Sequence, residues 1–237
     1  VSKPIKVTRF LQEPGYCATA ASASCANYYN EDVDYEYAKG IADKMAKASE
    51  GLDSPEIGIL LNELGFYSVT IVSSDLSYLD YSWKDISRTK LIEELKEYGK
   101  KRSNSDYAVA KLMAKFLDKK EYKNELVISH HFGRHIRSFL SKKKPVILSF
   151  NWTMMFEFGK SGDKKELDTH KGNQEYHAVV GAGYDKRGVW VVDSHHQYYK
   201  YKLKRYRKGI YKISWENLMT VMGQGDVILP GDYYLYE

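Results

Sequence analysis

Residues Ala18 to Ala26 read ATAASASCA, nine consecutive positions with no side chain larger than Thr or Cys. A helix built from such a stretch has no broad apolar stripe to bury against one neighbour while its other face meets water. What it offers is a thin cylinder that other elements can approach closely, so a central buried helix is expected here. The turn-forming pair Pro14-Gly15 precedes it, Cys17 stands at its entrance, and Gln12 lies five residues ahead of that cysteine.

The rest of the first half is largely helical in pattern. DVDYEYAKGIADKMAK (Asp32–Lys47) is followed by SPEIGILLNELG (Ser54–Gly65). The second has Ser54 before a proline at the first helical position, apolar spacing at Ile57, Leu60, Leu61 and Leu64, and a closing glycine. FYSVTIVSS (Phe66–Ser74) is a β-branched strand candidate. The stretch from about Tyr81 to Asn124 is charged and helical in pattern, and RHIRSFLSKKK (Arg134–Lys144) reads as a helix ending before Pro145. The second half changes character. PVILSFNW (Pro145–Trp152) is a short apolar strand, and HAVVGAGY with VWVVDS flanks the turn letters DKRG as a hairpin. YKYKLKRY and DYYLYE read as further strands. Helices first and antiparallel strands afterwards predict an α+β fold. With no internal repeat and no Gly/Ser-rich linker, residues 1–237 are expected to form a single domain.

The formal charge of +5 is mild, and its positive part gathers in Ser141–Pro145 and Tyr198–Gly209. The second of these alternates Tyr and Lys and reads as a ribbon with a solvated cationic face rather than a nucleic-acid-binding surface. No apolar run approaches the ~20 residues a membrane span needs. No secretory signal is visible, which favours a cytoplasmic protein, with Val at position 1 compatible with a trimmed leader. Cys17 and Cys25, if on one helix, lie about 12 Å apart, too far for a bridge, so both are expected to be free thiols.

A nucleophilic thiol needs a base, and the base needs an orienting partner. The hairpin offers both, with His177 opening its first strand and Asp193 closing its second. Their even separation puts both side chains on one face of the sheet if the hairpin turns about a single residue. A five-residue loop, Gly183 to Arg187, would set Asp193 directly opposite His177. A three-residue loop, Lys186 to Gly188, would set residue 197 there and leave the carboxylate about 14 Å along the strands. Catalysis therefore requires the longer loop, or a bulge.

Three pieces in order, LQEPGYCATAA, KKPVILSFNW and HAVVGAGYDKRGVWVVDS, resemble the papain-like cysteine peptidases. The resemblance is to the branch of bacteriocin leader-processing peptidases, cysteine peptidase family thirty-nine. It covers most of the chain, with about 81–124 reading as a helical insertion. It implies a papain-like fold with the Cys helix packed on a C-terminal antiparallel sheet, and a peptide or protein substrate. The family commonly has Gly-Pro after the cysteine, where this chain has Ala18-Thr19, and Lys144 precedes the PVI strand within a lysine run.

In that reading Cys17 attacks the carbonyl as thiolate, helped by the helix N-terminus and by protonated His177. His177 serves as base and then acid, Asp193 holds its other nitrogen, and Gln12 donates to the developing oxyanion. Cys25, deeper in the helix, reads as an inert buried thiol, and Trp152 and Trp190 as core aromatics. His131 and His135 are four apart, a spacing that can hold a metal. Gly133 interrupts that helix, however, no Glu stands between the pair, and no cysteine joins them, so neither metal nor cofactor is expected. The expected activity is thiol hydrolysis of peptide or related amide bonds. The alternatives are an inactive papain-like binding module, engaging an acidic partner or nucleic acid through the Tyr/Lys ribbon, and an acyltransferase using the same thiol.

Overall fold

Glu13 to Tyr16 form a turn in which Gly15 takes φ 85° and the Tyr16 N–H donates to the Glu13 carbonyl at 3.1 Å. Proline second and a positive-φ glycine third is the chemistry of a type II turn. The chain passes from it directly into α1 (Cys17–Asn27), whose Ala18 to Ala26 are all buried. A computed structural model describes residues 4–45, 51–101, 105–156, 175–195 and 209–234.

Beyond α1 come α2 (Tyr35–Met45), α3 (Ser54–Glu63) and β1 (Ser68–Ser73). A 3-10 turn at Tyr81–Asp85 leads to α4 (Arg88–Lys101), α5 (Ser105–Asp118) and β2 (Lys123–Ile128). The chain continues through α6 (Phe132–Ser141), β3 (Val146–Asn151), α7 (Trp152–Phe156), β4 (Tyr176–Tyr184) and β5 (Gly188–Val192). It closes with β6 (Ile210–Ser214), α8 (Trp215–Val221) and β7 (Asp226–Pro230). The seven strands form one sheet in the order β2-β1-β7-β3-β4-β5-β6. β1 and β2 run parallel, and every other neighbouring pair is antiparallel.

Both faces of the sheet are covered. Ile71, Ile147, Val180 and Ile228 point into a core shared with the small residues of α1 and with Leu60 and Leu61 of α3. Val72, Leu148, Phe150, Val179, Val191 and Val227 point the other way, against Ile136 and Leu140 of α6 and Leu218 of α8. Each such aliphatic side chain withdrawn from water contributes about 1.5–3 kcal/mol. α3 and α5 meet closely enough that a Cβ at Gly58 would come within 2.5 Å of the Phe116 ring, so only glycine fits there. At the start of α3, Asp53 and Glu56 form a reciprocal capping box ahead of Pro55.

Several expectations change on contact with the structure. β2 occupies Lys123–Ile128, starting where the stretch read as helical to about Asn124 ends, and neither β2, β6 nor β7 is expected as a strand from sequence. Asp232 to Tyr234 make an isolated bridge, Phe66 to Tyr233, rather than a strand, because their backbone is held by Tyr67, the Ser68 hydroxyl and Gly65. α6 starts at Phe132 and runs through Gly133 without a break. Trp152 is core, whereas Trp190 is half-buried beneath the Lys212 ammonium. The YKYKLKRY stretch lies outside the described residues. No helix among the described residues is long and apolar enough to cross a membrane.

Candidate active site

The site is assembled where the entrance of α1 meets the first residues of β4. Tyr16 caps α1 with backbone only, so no side chain competes for the first-turn N–H groups. Cys17, half-buried, lies beside the His177 side chain, and that imidazole with the backbone N–H groups of Ala178 and Ala18 favours its charged form. His177 is buried and its Nε2 lies 2.8 Å from Asp193 Oδ1, which leaves the other ring nitrogen for the thiol.

The contact between His177 and Asp193 depends on an irregularity in the hairpin. Near the turn Tyr184 faces Val189 and Gly183 faces Trp190; beyond Ala182, Gly181 faces Val191 and Val180 faces Val192. Ala182 is thus an extra residue on β4, a β-bulge, and its carbonyl accepts the Ile5 N–H. In the register set at the turn, Asp193 would oppose Val180 and point away from His177. One inserted residue reverses the parity, placing Asp193 beside Val179 and on the His177 face. Neither loop weighed from sequence is present, since the strands separate after Tyr184 and rejoin at Gly188.

Asp193 is completely buried and fully engaged. Oδ1 accepts from His177 Nε2 and from the His195 N–H, each at 2.8 Å, and Oδ2 accepts from the Tyr211 hydroxyl at 2.7 Å. Arg9 donates to the backbone carbonyls of Asp193 and His195, tying the N-terminal segment to this loop. Gln12 is held at two points: its N–H donates to the Ser194 carbonyl at 3.2 Å, and its Oε1 accepts the Ser194 hydroxyl at 2.7 Å. With the amide oxygen occupied, the amide NH2 is the end presented for a further acceptor.

The electrostatics follow from this packing. Burial pushes the Cys17 thiol up, but the hydrogen bond and charge of His177, with the two N–H groups, outweigh it and hold the pKa below the usual thiol value. Burial pushes His177 down, yet the Asp193 carboxylate and the Cys17 sulfur raise it to about 10. Asp193, pushed up by burial, is lowered to about 2 by His177, Tyr211 and the His195 N–H. The charged forms of the three groups, thiolate, imidazolium and carboxylate, thus favour one another in an alternating series. Cys25 has no such partner, and burial alone raises it far above an ordinary thiol.

A family model described as the Peptidase_C39 like family matches residues 4–222, a span that includes all four of these side chains. The chain belongs to that family. Its fold is accordingly papain-like α+β, and the family is one of cysteine peptidases. Among curated proteins none matches the chain.

Ser194 and Tyr211 were not picked out from sequence. Ser194 follows Asp193 directly and shared its strand end, a proximity that could have suggested it. Nothing local marks Tyr211, which reaches Asp193 only because β6 pairs with β5. The His131 and His135 pair stands apart from the site, beside Lys84 and Arg134 rather than further metal ligands.

Proposed function

We propose that this chain is a cysteine peptidase in which Cys17 is the nucleophile, His177 the proton carrier, Asp193 its orienting partner and Gln12 an oxyanion donor. The Cys17 thiolate attacks the carbonyl carbon of a peptide bond. The carbonyl oxygen takes up the displaced electron pair and is met by the Gln12 NH2 and the Cys17 backbone N–H. As the C–N bond breaks, the imidazolium of His177 gives its proton to the departing amine, leaving a thioester on Cys17 and a neutral ring. His177 then takes a proton from water, whose oxygen attacks the thioester. The acid product leaves and the thiolate–imidazolium pair is restored. The buried Asp193 carboxylate stabilises the imidazolium in both halves.

The observation that carries this reading is the buried His177–Asp193 pair, 2.8 Å apart, with Cys17 beside the imidazole at the entrance of α1. Its test is alkylation with iodoacetamide at mildly acidic pH, where an ordinary thiol is protonated and slow. Cys17 is expected to be labelled far faster than Cys25, with the preference lost in His177→Ala. Equal, slow labelling of both cysteines would rule the reading out.

A further inference from the structure

A cavity of about 290 Å³ opens on the far side of the sheet from β4. Its walls are the C-terminal end of β2, the 3-10 turn that carries Lys84, and the first turn of α6. Leu126 and Ile128 supply apolar surface, and Lys84, His131, Arg134 and His135 supply the polar surface. No carboxylate among the described residues lines it. Among the described residues neither Lys84 nor Arg134 takes part in an ion pair, although the surface elsewhere pairs Lys90, Lys96, Lys119 and Lys212 with acids. Two cationic side chains and two imidazoles thus face one concavity with no counter-charge among the described residues.

We infer that this cavity is a binding site for a compact dianionic oxyanion of the phosphate class. An Arg fork and a Lys ammonium converging from different elements are the groups that hold such an anion best. The first turn of α6 places His131, Arg134 and His135 on the same wall, so the two imidazoles stand beside the guanidinium. His135 feels the unbalanced charge: burial lowers its pKa, and Arg134 and His131 lower it further. A bound dianion would reverse the second of those effects. The volume exceeds what a bare oxyanion needs, and Leu126 and Ile128 offer a surface for a small apolar group esterified to it. Four strand spacings, about 19 Å, separate this end of β2 from His177 on β4, so the cavity is distinct from the candidate active site.

The test is a titration of the protein with inorganic phosphate and, separately, with phenyl phosphate, read through the ring-proton NMR signals of its seven histidines. Sodium acetate at matched ionic strength is the reference. Saturable shifts of His131 and His135 are expected, weakened about tenfold by Arg134→Gln or by Lys84→Met. Both positions are exposed, so the variants should keep the parent melting temperature. Tighter binding of phenyl phosphate assigns the cavity to a phosphate ester, and equal binding assigns it to free phosphate. Shifts that fail to saturate, that acetate reproduces, or that persist unchanged in both variants overturn the inference.

Discussion

At the scale of single residues, the proposed mechanism gives the Ser194 hydroxyl, which donates to Gln12 Oε1, the part toward Gln12 that Asp193 has toward His177: fixing which end of a two-ended group faces the reacting atoms. Removing the oxyanion donor itself, as Gln12→Ala, should lower kcat by about 10²–10³ with KM little changed. Ser194→Ala keeps the donor but frees it to rotate, so the loss should be smaller, about tenfold, and again in kcat. Steady-state kinetics separate the two, and a Ser194→Ala defect confined to KM would contradict the assigned role. Threonine at 194 retains the hydroxyl and should restore part of the rate. The pH profile is a second residue-level test. Activity should fall as pH rises through about 10, where His177 loses the proton destined for the leaving amine. In acid it should fall as the Cys17 thiolate is protonated, at a pH below the ordinary thiol value. The residue types of this chemistry are readable in the chain because Cys17 and Gln12 lie in one short segment, and His177 and Asp193 flank one hairpin. The supporting hydroxyl of Tyr211 is not, since it depends on which strand lies next to β5.

At the scale of elements, the hairpin β4–β5 shows how register decides whether two side chains can meet. Deleting Ala182 removes the unpaired residue but keeps Gly181 opposite Val191 and Val180 opposite Val192, so Asp193 stays beside Val179 on the His177 face while the ladder becomes regular. The deletion variant should therefore keep the His177–Asp193 contact and most of the parent rate, whereas Asp193→Ala should lower the rate by roughly 10⁴ if the carboxylate orients the ring as in other triads. Cys17 in the deletion variant should still react preferentially with iodoacetamide. A folded deletion variant, judged by circular dichroism, that loses as much rate as Asp193→Ala would show that the extra residue does more than set the register. Hydrophobic periodicity could locate this hairpin but not the bulge, because GAG carries no side chain that reports a shift of register. β3 and β7 illustrate the converse. With helices on both faces their strands read as unbroken apolar runs, VILSF and DVILP, rather than as alternation. The first was legible because Pro145 marks its start. The second, pressed against the end of α8 and a short 3-10 turn, had no such marker.

At the scale of the whole molecule, β7 inserts a carboxylate between the two cores. Asp226 pairs with Ser73 of β1 and Ser149 of β3, in the row that runs across the sheet to Ala178. Its side chain is buried, accepts from the hydroxyls of Ser54 and Ser73, and leaves Oδ1 without a partner. Burial raises its pKa from 3.8 to about 6, in the opposite sense to Asp193. The consequences for stability are opposite too. Asp193 contributes stability that is present above pH 3.8 and lost as pH falls towards 2. His177, raised to about 10, contributes stability that is full below 6.5 and lost as pH climbs through 10. For Asp226 the folded state holds the proton more tightly than the unfolded chain, so its contribution is greatest below 3.8 and declines as pH rises through about 6. At neutral pH the folded protein therefore carries a penalty of about 3 kcal/mol for an ionised Asp226. Asp226→Asn keeps the shape and the hydroxyl contacts, removes the charge, and places a donor at the orphaned oxygen position. Its stabilisation relative to the parent should be small near pH 4 and reach its full size above about pH 7. Urea unfolding of both proteins across that range measures the difference directly. A gain that is the same at every pH would trace to packing rather than ionisation, and destabilisation at neutral pH would mean that the charged carboxylate is held by partners the buried row does not supply.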